Sequence, residues 1–444
     1  MSFPRYPKYK ESGVEWLGDV PEHWEVRRLK QICHVFPSNV DKKTVEGEAA
    51  VLLCNYTDVY YNDRIVADMD FMPATATDDQ IAKFTLRAGD TIITKDSETA
   101  DDIAVAAYVP HDLRGVVCGY HLSMVRPRVD TNGAFVKRLF DSTYAKSCFA
   151  VRANGLTRVG LSQYELDNVD TPVPPPTEQA AIAAFLDRET AKIDALIAEQ
   201  QRLIELLQEK RQAVISHAVT KGLNPDAPMK DSGIEWLGEV PKHWTILPSR
   251  RLFGQRNESA KATDKQVTAS QKYGIVFQAD FVEMEGRRVV ETITGTHTLR
   301  RVHPNDFVIS LRSFQGGIEW CRIQGSITFH YVVLTPLKCV YEPFFAHLFK
   351  SDAYIQALRS TTNLIRDGQD LRYSHFVQVP LPVVPLEEQR EIAAYLDTSV
   401  AQFDVLASEA SNFIALLQER RSALISAAVT GQIAVRGLAS SEAA

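Results

Sequence analysis

The sequence predicts a mixed α/β (α+β) protein made of two tandem copies of one module. Each copy should end in a long helix, with the two helices pairing as an antiparallel coiled coil of pseudo-twofold symmetry. Three observations carry this. First, Ser12-Gly13-Val14-Glu15-Trp16-Leu17-Gly18-Asp19-Val20-Pro21-Glu22-His23-Trp24 returns, nearly unchanged, as Ser232-Gly233-Ile234-Glu235-Trp236-Leu237-Gly238-Glu239-Val240-Pro241-Lys242-His243-Trp244, an offset of 220. Such self-similarity marks a repeated structural unit. Second, Glu178-Gln179 and Ile182-Ala183-Ala184-Phe185-Leu186-Asp187 return as Glu388-Gln389 and Ile392-Ala393-Ala394-Tyr395-Leu396-Asp397, an offset of 210. The segment between the blocks is therefore ten residues shorter in the second copy. Third, both blocks lead into heptad-like apolar runs.

These boundaries give an arm over residues 1–24, a variable domain over 25–171 and a helix over 172–222. A linker and repeated arm follow over 223–244, then a second variable domain over 245–379, a second helix over 380–431 and a tail over 432–444. Within the variable domains, short β-rich runs are expected at Val51-Leu52-Leu53, Thr91-Ile92-Ile93-Thr94, Val116-Val117-Cys118 and Leu122-Ser123-Met124-Val125. In the second copy they fall at Gly274-Ile275-Val276-Phe277, Phe307-Val308-Ile309-Ser310 and Tyr331-Val332-Val333-Leu334. Single helices are expected over residues 134–150 and 343–359. Three correspondences survive the divergence: Gly89-Asp90 with Asn305-Asp306, Tyr120-His121 with Phe329-His330, and the Gly155–Gly160 segment with 363–368.

Along the first long helix, Leu186, Ile193, Leu196, Leu203, Leu207 and Val214 form one stripe. Leu396, Phe403, Leu406, Phe413, Leu417 and Leu424 repeat it in the second. About 40 helical residues span on the order of 60 Å at a rise of 1.5 Å per residue. Equal length and matching stripes make the helices natural partners for each other. Glu189, Gln200, Lys210 and Arg420, polar residues on or beside the stripe, are expected to set register or to meet further chains. Pro172-Val173-Pro174-Pro175-Pro176 and Pro380-Leu381-Pro382-Val383-Val384-Pro385 fix extended approaches, with Thr177 or a neighbour as the helix cap.

Composition narrows the class. Apolar residues make up 45% and charged residues 24%, the balance of a globular protein without a membrane span. No secretory leader is visible at Met1-Ser2-Phe3-Pro4, and the six scattered cysteines read as reduced, buried thiols, so the chain is expected in the cytoplasm. Net charge is −7, which does not advertise a nucleic-acid partner. The second variable domain runs the other way: residues 245–380 hold 17 Lys/Arg against 12 Asp/Glu, whereas residues 25–172 hold 17 against 21. A basic surface suits phosphates, so the two copies are expected to differ in how they meet an anionic partner. Catalytic signatures are missing: there is no Asn/Asp-Pro-Pro-aromatic site, no Gly-x-x-x-x-Gly-Lys-Ser/Thr phosphate cradle and no Cys/His set at zinc spacing. The expectation is a chain that is not an enzyme.

The Ser-Gly-Val-Glu-Trp-Leu-Gly arm, the Pro-Pro-x-Glu-Gln helix start and their duplication resemble the specificity subunit of type I restriction–modification systems, over essentially the whole chain. The resemblance implies that residues 25–171 and 245–379 are target-recognition domains, each reading one half of a bipartite sequence in double-stranded DNA. It also implies that the helices from Thr177 and Leu386 are spacers and docking surfaces for two methyltransferase subunits, joined by restriction/translocase subunits. S-adenosylmethionine and ATP with Mg belong on those partners, with no cofactor in this chain. Candidate DNA contacts follow the Gly89-Asp90 strand and its counterpart: Lys95 and Ser97, then Arg312, Ser313 and Gln315. Arg158 and Arg366, beside glycines, are candidates for phosphate. His121 and His330 each begin a strand and are expected to pack or cap. Trp16, Trp24, Trp236 and Trp244 are expected to anchor the arms. The rival reading is an assembly scaffold whose two domains bind peptides or proteins. Divergence between the copies favours DNA, because a symmetric scaffold gains nothing from two different surfaces.

Overall fold

The structure is a computed structural model that describes residues 3–286, 299–310, 313–337, 340–361 and 371–435. It divides into two compact units, Met1–Gln200 with Asn412–Ala444, and Gln201–Ser411. Each unit holds one arm, one variable domain and part of both long helices.

In the first unit the arm is a hairpin pairing Tyr9–Glu11 with Asp19–Pro21. A four-stranded antiparallel sheet then takes the order Ala106–Tyr108, Thr91–Thr94, Leu122–Pro127, Cys33–Pro37. Thr91–Thr94 is buried along its whole length, which explains its unbroken β-branched run. A second sheet sets Ala49–Cys54 parallel to Leu113–Cys118, flanked by Met72–Ala76 and Thr85–Leu86. Glu25–Arg28 pairs with Asp170–Val173 and closes the domain at its base.

The second unit repeats the first sheet. Its order is Glu319–Trp320, Phe307–Ile309, Val332–Pro336, Phe253–Arg256, again all antiparallel. Thr245–Leu247 pairs with Leu381–Val383 as the base. Phe253, Phe307, Phe345 and Phe349 pack ring against ring beneath this sheet, with offset and edge geometries that favour aromatic pairs.

The expected helix over 134–150 is two helices, α1 (Gly133–Asp141) and α2 (Thr143–Arg152). Its counterpart over 343–359 breaks likewise; α3 is the first long helix (Pro176–Lys221), and the second copy supplies α4 (Glu342–Leu348) and α5 (Asp352–Ser360). The cause is the same serine in each copy. Ser142 leaves the helical region and its hydroxyl accepts the Ala145 N–H, and Ser351 does the same for Tyr354. An N-cap inside an apolar run restarts the helix at a new angle.

The second long helix, α6, covers Leu386–Val429. Pro176 takes the first helical position of α3, where a missing N–H is harmless, so Thr177 is its second residue and not its cap. Within the first unit, the start of α3 runs against the end of α6. Ile193 shares a core with Leu417 and Leu424, and Arg421 Nε donates to Asp194 at 2.8 Å. Within the second unit, the end of α3 runs against the start of α6, with Arg211 Nε 3.4 Å from Asp404. The helices are therefore antiparallel in both units, with one repeated Arg–Asp pair across each. That pair, and not Glu189, Gln200, Lys210 or Arg420, bridges the helices; Glu189 pairs with Arg188 and Lys192 on its own helix.

Each arm locks onto the end of a long helix. Trp24 and Trp244 are fully buried, and a buried indole of roughly 200 Å² contributes about 5 kcal/mol at ~25 cal/mol per Å². In the second unit α3 leads through residues 223–228 into the arm. In the first, α6 ends beside the chain's own start, where the Ala434 N–H donates to Pro4 O at 2.7 Å and Tyr9 Oη to Gly431 O at 3.1 Å. Not every arm tryptophan is an anchor: Trp236 packs edge-on to Tyr354, but Trp16 is 56% exposed. The cysteines within the described residues are free and buried; Cys339 lies outside them.

Candidate nucleic-acid interface

The Glu-Gln pair at the start of each long helix couples three elements. Glu178 is buried and accepts from Tyr6 Oη, with His23 Nε2 2.9 Å away on the arm. Gln179 turns the other way: its Oε1 accepts the Asn132 N–H at 2.8 Å and its Nε2 donates to Pro174 O at 2.8 Å. The second unit repeats the device. His243 and Trp244 reach Glu388 Oε2 at 2.7 and 3.0 Å, and Gln389 accepts the Tyr341 N–H at 2.8 Å while donating to Val384 O at 2.8 Å. Nine residues after each glutamate, Asp187 holds Arg138 at 2.7 Å and Asp397 holds His347 at 2.8 Å. The shared motif is thus the joint that fixes arm, variable domain and helix to one another.

The Gly-Asp correspondence is equally structural. Gly89 and Asn305 both take a left-handed backbone, φ +93° and +74°, which glycine and asparagine tolerate best. The aspartate that follows is buried and grips an arginine with both oxygens. Asp90 accepts from Arg126 Nε and Nη2 at 2.8 and 2.7 Å, and Asp306 from Arg256 at 2.9 and 3.0 Å. The four-stranded sheet of each copy is thereby clamped.

At the outer end of the Thr91–Thr94 strand the chain gathers several candidates. Asp96–Ser97 pairs with Val159–Gly160, so the 154–160 loop folds over Lys95, and Leu161 N–H donates to Lys95 O at 3.0 Å. Gly155, at φ +152°, lies where a Cβ would meet Arg158 O at 1.8 Å, so the glycine serves the turn's own closure. Lys95 and Arg158 are brought together. Lys95 Nζ lies 4.3 Å from the Tyr120 ring, and burial pushes its ammonium below the usual lysine value against the pull of Asp96. Arg158 is exposed but engaged, donating to Asp96 Oδ1 at 2.8 Å. Asp96 Oδ2 meets His121 Nδ1 at 2.8 Å, so one carboxylate holds both the Arg158 guanidinium and the His121 imidazole. Tyr60 donates to Asp102 at 2.7 Å, which pushes its phenol up to about 12.

Ser97 and Ser313, equivalent positions, are both buried, at 2% and 0% exposure. The Ser313 hydroxyl accepts the Ser310 N–H at 2.8 Å. Both serines, named among the candidate contacts, are thus covered by the chain itself at the strand ends. Gln315 is exposed on the Ser313–Gly316 turn of helix. Arg312 and Arg366 lie outside the described residues.

His121 and His330 do not pack. Each is exposed at the tip of a turn, beside an exposed Tyr120 or Phe329. The sequence singles the pair out by its recurrence in both copies, but a residue that begins a strand reads as part of it, hence the expectation that each histidine packs or caps.

The helix stripe divides by position. Leu186, Leu396, Ile193, Leu417 and Leu424 are buried, and Leu207, Val214 and Phe403 are partly covered. Leu196, Leu203, Leu406 and Phe413 are instead 41 to 47% exposed, and Leu206 and Leu416 beside them are exposed too. Where arm and domain flank the helices, the wide stripe is covered; a single facing helix covers only a narrow seam.

Among the described residues no group of His, Cys, Asp and Glu could hold a metal ion, and no helix is long and apolar enough to cross a membrane.

A duplicated arm, a repeated four-stranded sheet and long helices that run antiparallel within each unit define a modular protein of two tandem copies. Residues 21–206 match the type I restriction modification DNA specificity domain. The chain is 22% identical to the protein described as the type I restriction enzyme MjaX specificity subunit of Methanocaldococcus jannaschii, covering 96% of this chain and 98% of that one. It is 24% identical to the EcoBI specificity subunit of Escherichia coli over 67% of this chain and 66% of the relative. Among solved structures, the HsdS subunit from Thermoanaerobacter tengcongensis matches with a TM-score of 0.52 at 18% identity, over 95% of this chain and all of that chain. A subunit solved in work on complex assembly and conformational transition of the type I R-M system matches at 0.64 and 18% identity, over 92% of this chain and 98% of that chain. The first half of the chain thus matches a type I restriction modification DNA specificity domain, and over most of its length the chain is similar to type I specificity subunits.

Proposed function

We propose that each variable domain reads one half of a bipartite DNA target and that the long helices dock two methyltransferase subunits and set the gap between the halves. S-adenosylmethionine and ATP with Mg then act on the partner subunits. The observation that carries this reading is the contrast between the copies. The joints that hold the domains are the same, while the residues that follow the equivalent strands differ in sequence: Asp96 in the first copy aligns with Arg312 in the second. Acidic and guanidinium side chains read different base edges. Leu196, Leu203, Leu406 and Phe413, uncovered on both helices, supply the apolar surface on which a partner would bury itself.

The test is recovery of the tagged chain from its host with its partners, alongside methylome sequencing with and without the gene. Loss of methylation at one bipartite motif, with co-purification of an adenine methyltransferase, is the expected result. If the motif persists and only other proteins are recovered, the scaffold reading replaces this one.

Helix length gives a sharper check. One heptad inserted after Gln200 and one after Ser411 leaves the Asp194–Arg421 and Arg211–Asp404 pairs each inside its own unit. The insertion adds about 10 Å, which is about three base pairs of duplex. Methylome sequencing should show the same two half-sites separated by about three more bases; unchanged spacing sinks the ruler.

A further inference from the structure

We infer that the aromatic–histidine turn of each unit, Tyr120-His121 and Phe329-His330, is a seat for the DNA sugar–phosphate backbone, the same contact made once at each half-site. This rests on the DNA reading proposed above. The two turns are built alike: Leu122 N–H donates to Gly119 O at 3.1 Å, and Tyr331 N–H donates to Thr328 O at 3.1 Å. Tight turns select Gly, Pro, Asn, Asp and Ser at their central positions, for reasons of backbone freedom and local hydrogen bonding. An aromatic ring followed by histidine answers none of those needs. Packing does not explain the pair either, since Tyr120 and Phe329 are 51% and 54% exposed and both histidines are exposed beside them.

Two domains that read different sequences share only what is common to every duplex, and that is the backbone; base-edge contacts are where they must differ. The surviving exposed pair therefore belongs to the sequence-independent part of the contact. The chemistry agrees. Each turn carries a ring face for a deoxyribose and an imidazole for a phosphate, with a cation at hand; Asp96 holds His121 through Nδ1 at 2.8 Å, and Nε2 is the nitrogen assigned to the phosphate. In the first unit Lys95 donates its backbone N–H to His121 O at 3.1 Å and lays its ammonium on Tyr120. In the second, Arg300 Nη1 donates to Tyr331 O at 3.2 Å, and the Phe329 and His330 rings lie 4.0 Å apart. In the first unit a hollow of about 80 Å³ lined by Lys42, Asn55, Tyr56, Tyr120 and His121 opens beside the turn. Asp96 against Arg312 is then the kind of position left to read bases.

The test uses the full-length chain with its co-purified partners and a randomised pool of roughly 30-base-pair duplexes, long enough for two half-sites at one turn of 10 base pairs or more apart. Binding is measured for the unselected pool and for the sequence the wild-type protein enriches. His121→Ala and His330→Ala should each weaken binding to both by the same factor, about tenfold for one charge-assisted contact. The double variant should lose about a hundredfold, and all three should enrich the unchanged motif with unchanged thermal midpoints. Tyr120→Leu and Phe329→Leu should weaken both targets in the same uniform way. A changed motif in any variant would show that the turn reads bases, and wild-type affinity throughout would place it off the DNA; either overturns the inference. If the unsubstituted chain bound no duplex at all, the DNA reading itself would fail and take this inference with it.

Discussion

Asp90→Ala should lower the thermal midpoint of the protein by about 10 °C, and Asp306→Ala should do the same through the other unit. Asp90 is 1% exposed and takes three hydrogen bonds: two from the Arg126 guanidinium and one from the Arg87 N–H at 2.8 Å. Asp306 takes the Arg256 guanidinium, the His303 N–H at 2.8 Å and the Thr335 hydroxyl at 3.3 Å. Removing the carboxylate strands a half-buried guanidinium and an unpaired turn N–H. Breaking one partner of a buried pair costs about 3–5 kcal/mol, and each kcal/mol moves the midpoint of a unit of ~200 residues by about 2–4 °C. Asp90→Asn keeps the shape and one acceptor and should fall between wild type and the alanine variant. Calorimetry of the full chain checks all three. A drop of less than about 2 °C for either alanine variant would show that the sheet does not depend on the clamp.

Much of this architecture was legible in the sequence because the chain repeats itself. Glu178-Gln179 and Glu388-Gln389 stood out as a pair, and the structure shows what they join. The strands at Thr91–Thr94 and Gly274–Phe277 have the expected bounds, since β-branched and aromatic runs between turn residues have few other outcomes. What failed was anything that depends on a side chain's direction. Ser97 and Ser313 are buried where the sequence offered them as contacts, since no local pattern at a strand's end says how much of the chain will cover a side chain. The breaks at Ser142 and Ser351 were hidden inside apolar runs whose period continues across them. The stripe through Leu196 and Phe413 has the right spacing for a seam, but spacing does not say how many neighbours share it. Arg158 was legible as a loop cation, yet its partner Asp96, 62 residues away, follows only from the folded edge.

Replacing residues 245–379 by the matching segment of a related specificity subunit should change one half of the methylated motif and leave the other half and the gap intact. The argument is one of independence. The second variable domain has its own sheet, and its Phe253, Phe307 and Phe349 cluster lies in a core shared only with the arm and helix segments of its own unit, as the first unit's cores draw only on its own arm, domain and helix segments. Few bonds cross the splice. Gln389 needs a backbone N–H at the place of Tyr341, which any residue but proline supplies, and Asp397 needs a donor in place of His347. In the first unit Arg138 fills that role for Asp187, so a donor segment with arginine there joins as well as one with histidine. Thr245–Leu247 and Leu381–Val383 pair through backbone alone, with Leu381 buried, so the base strands accept any apolar residue at that place. Sites far apart with no shared partners act additively, and the first copy's edge, with Lys95, Asp96, Arg158 and its aromatic–histidine turn, is untouched by the exchange. Sequencing of methylated bases in cells carrying the chimera and its methyltransferase partners reads the outcome directly. Movement of both halves would mean that the copies do not read independently, and the division of the target between them would have to be given up.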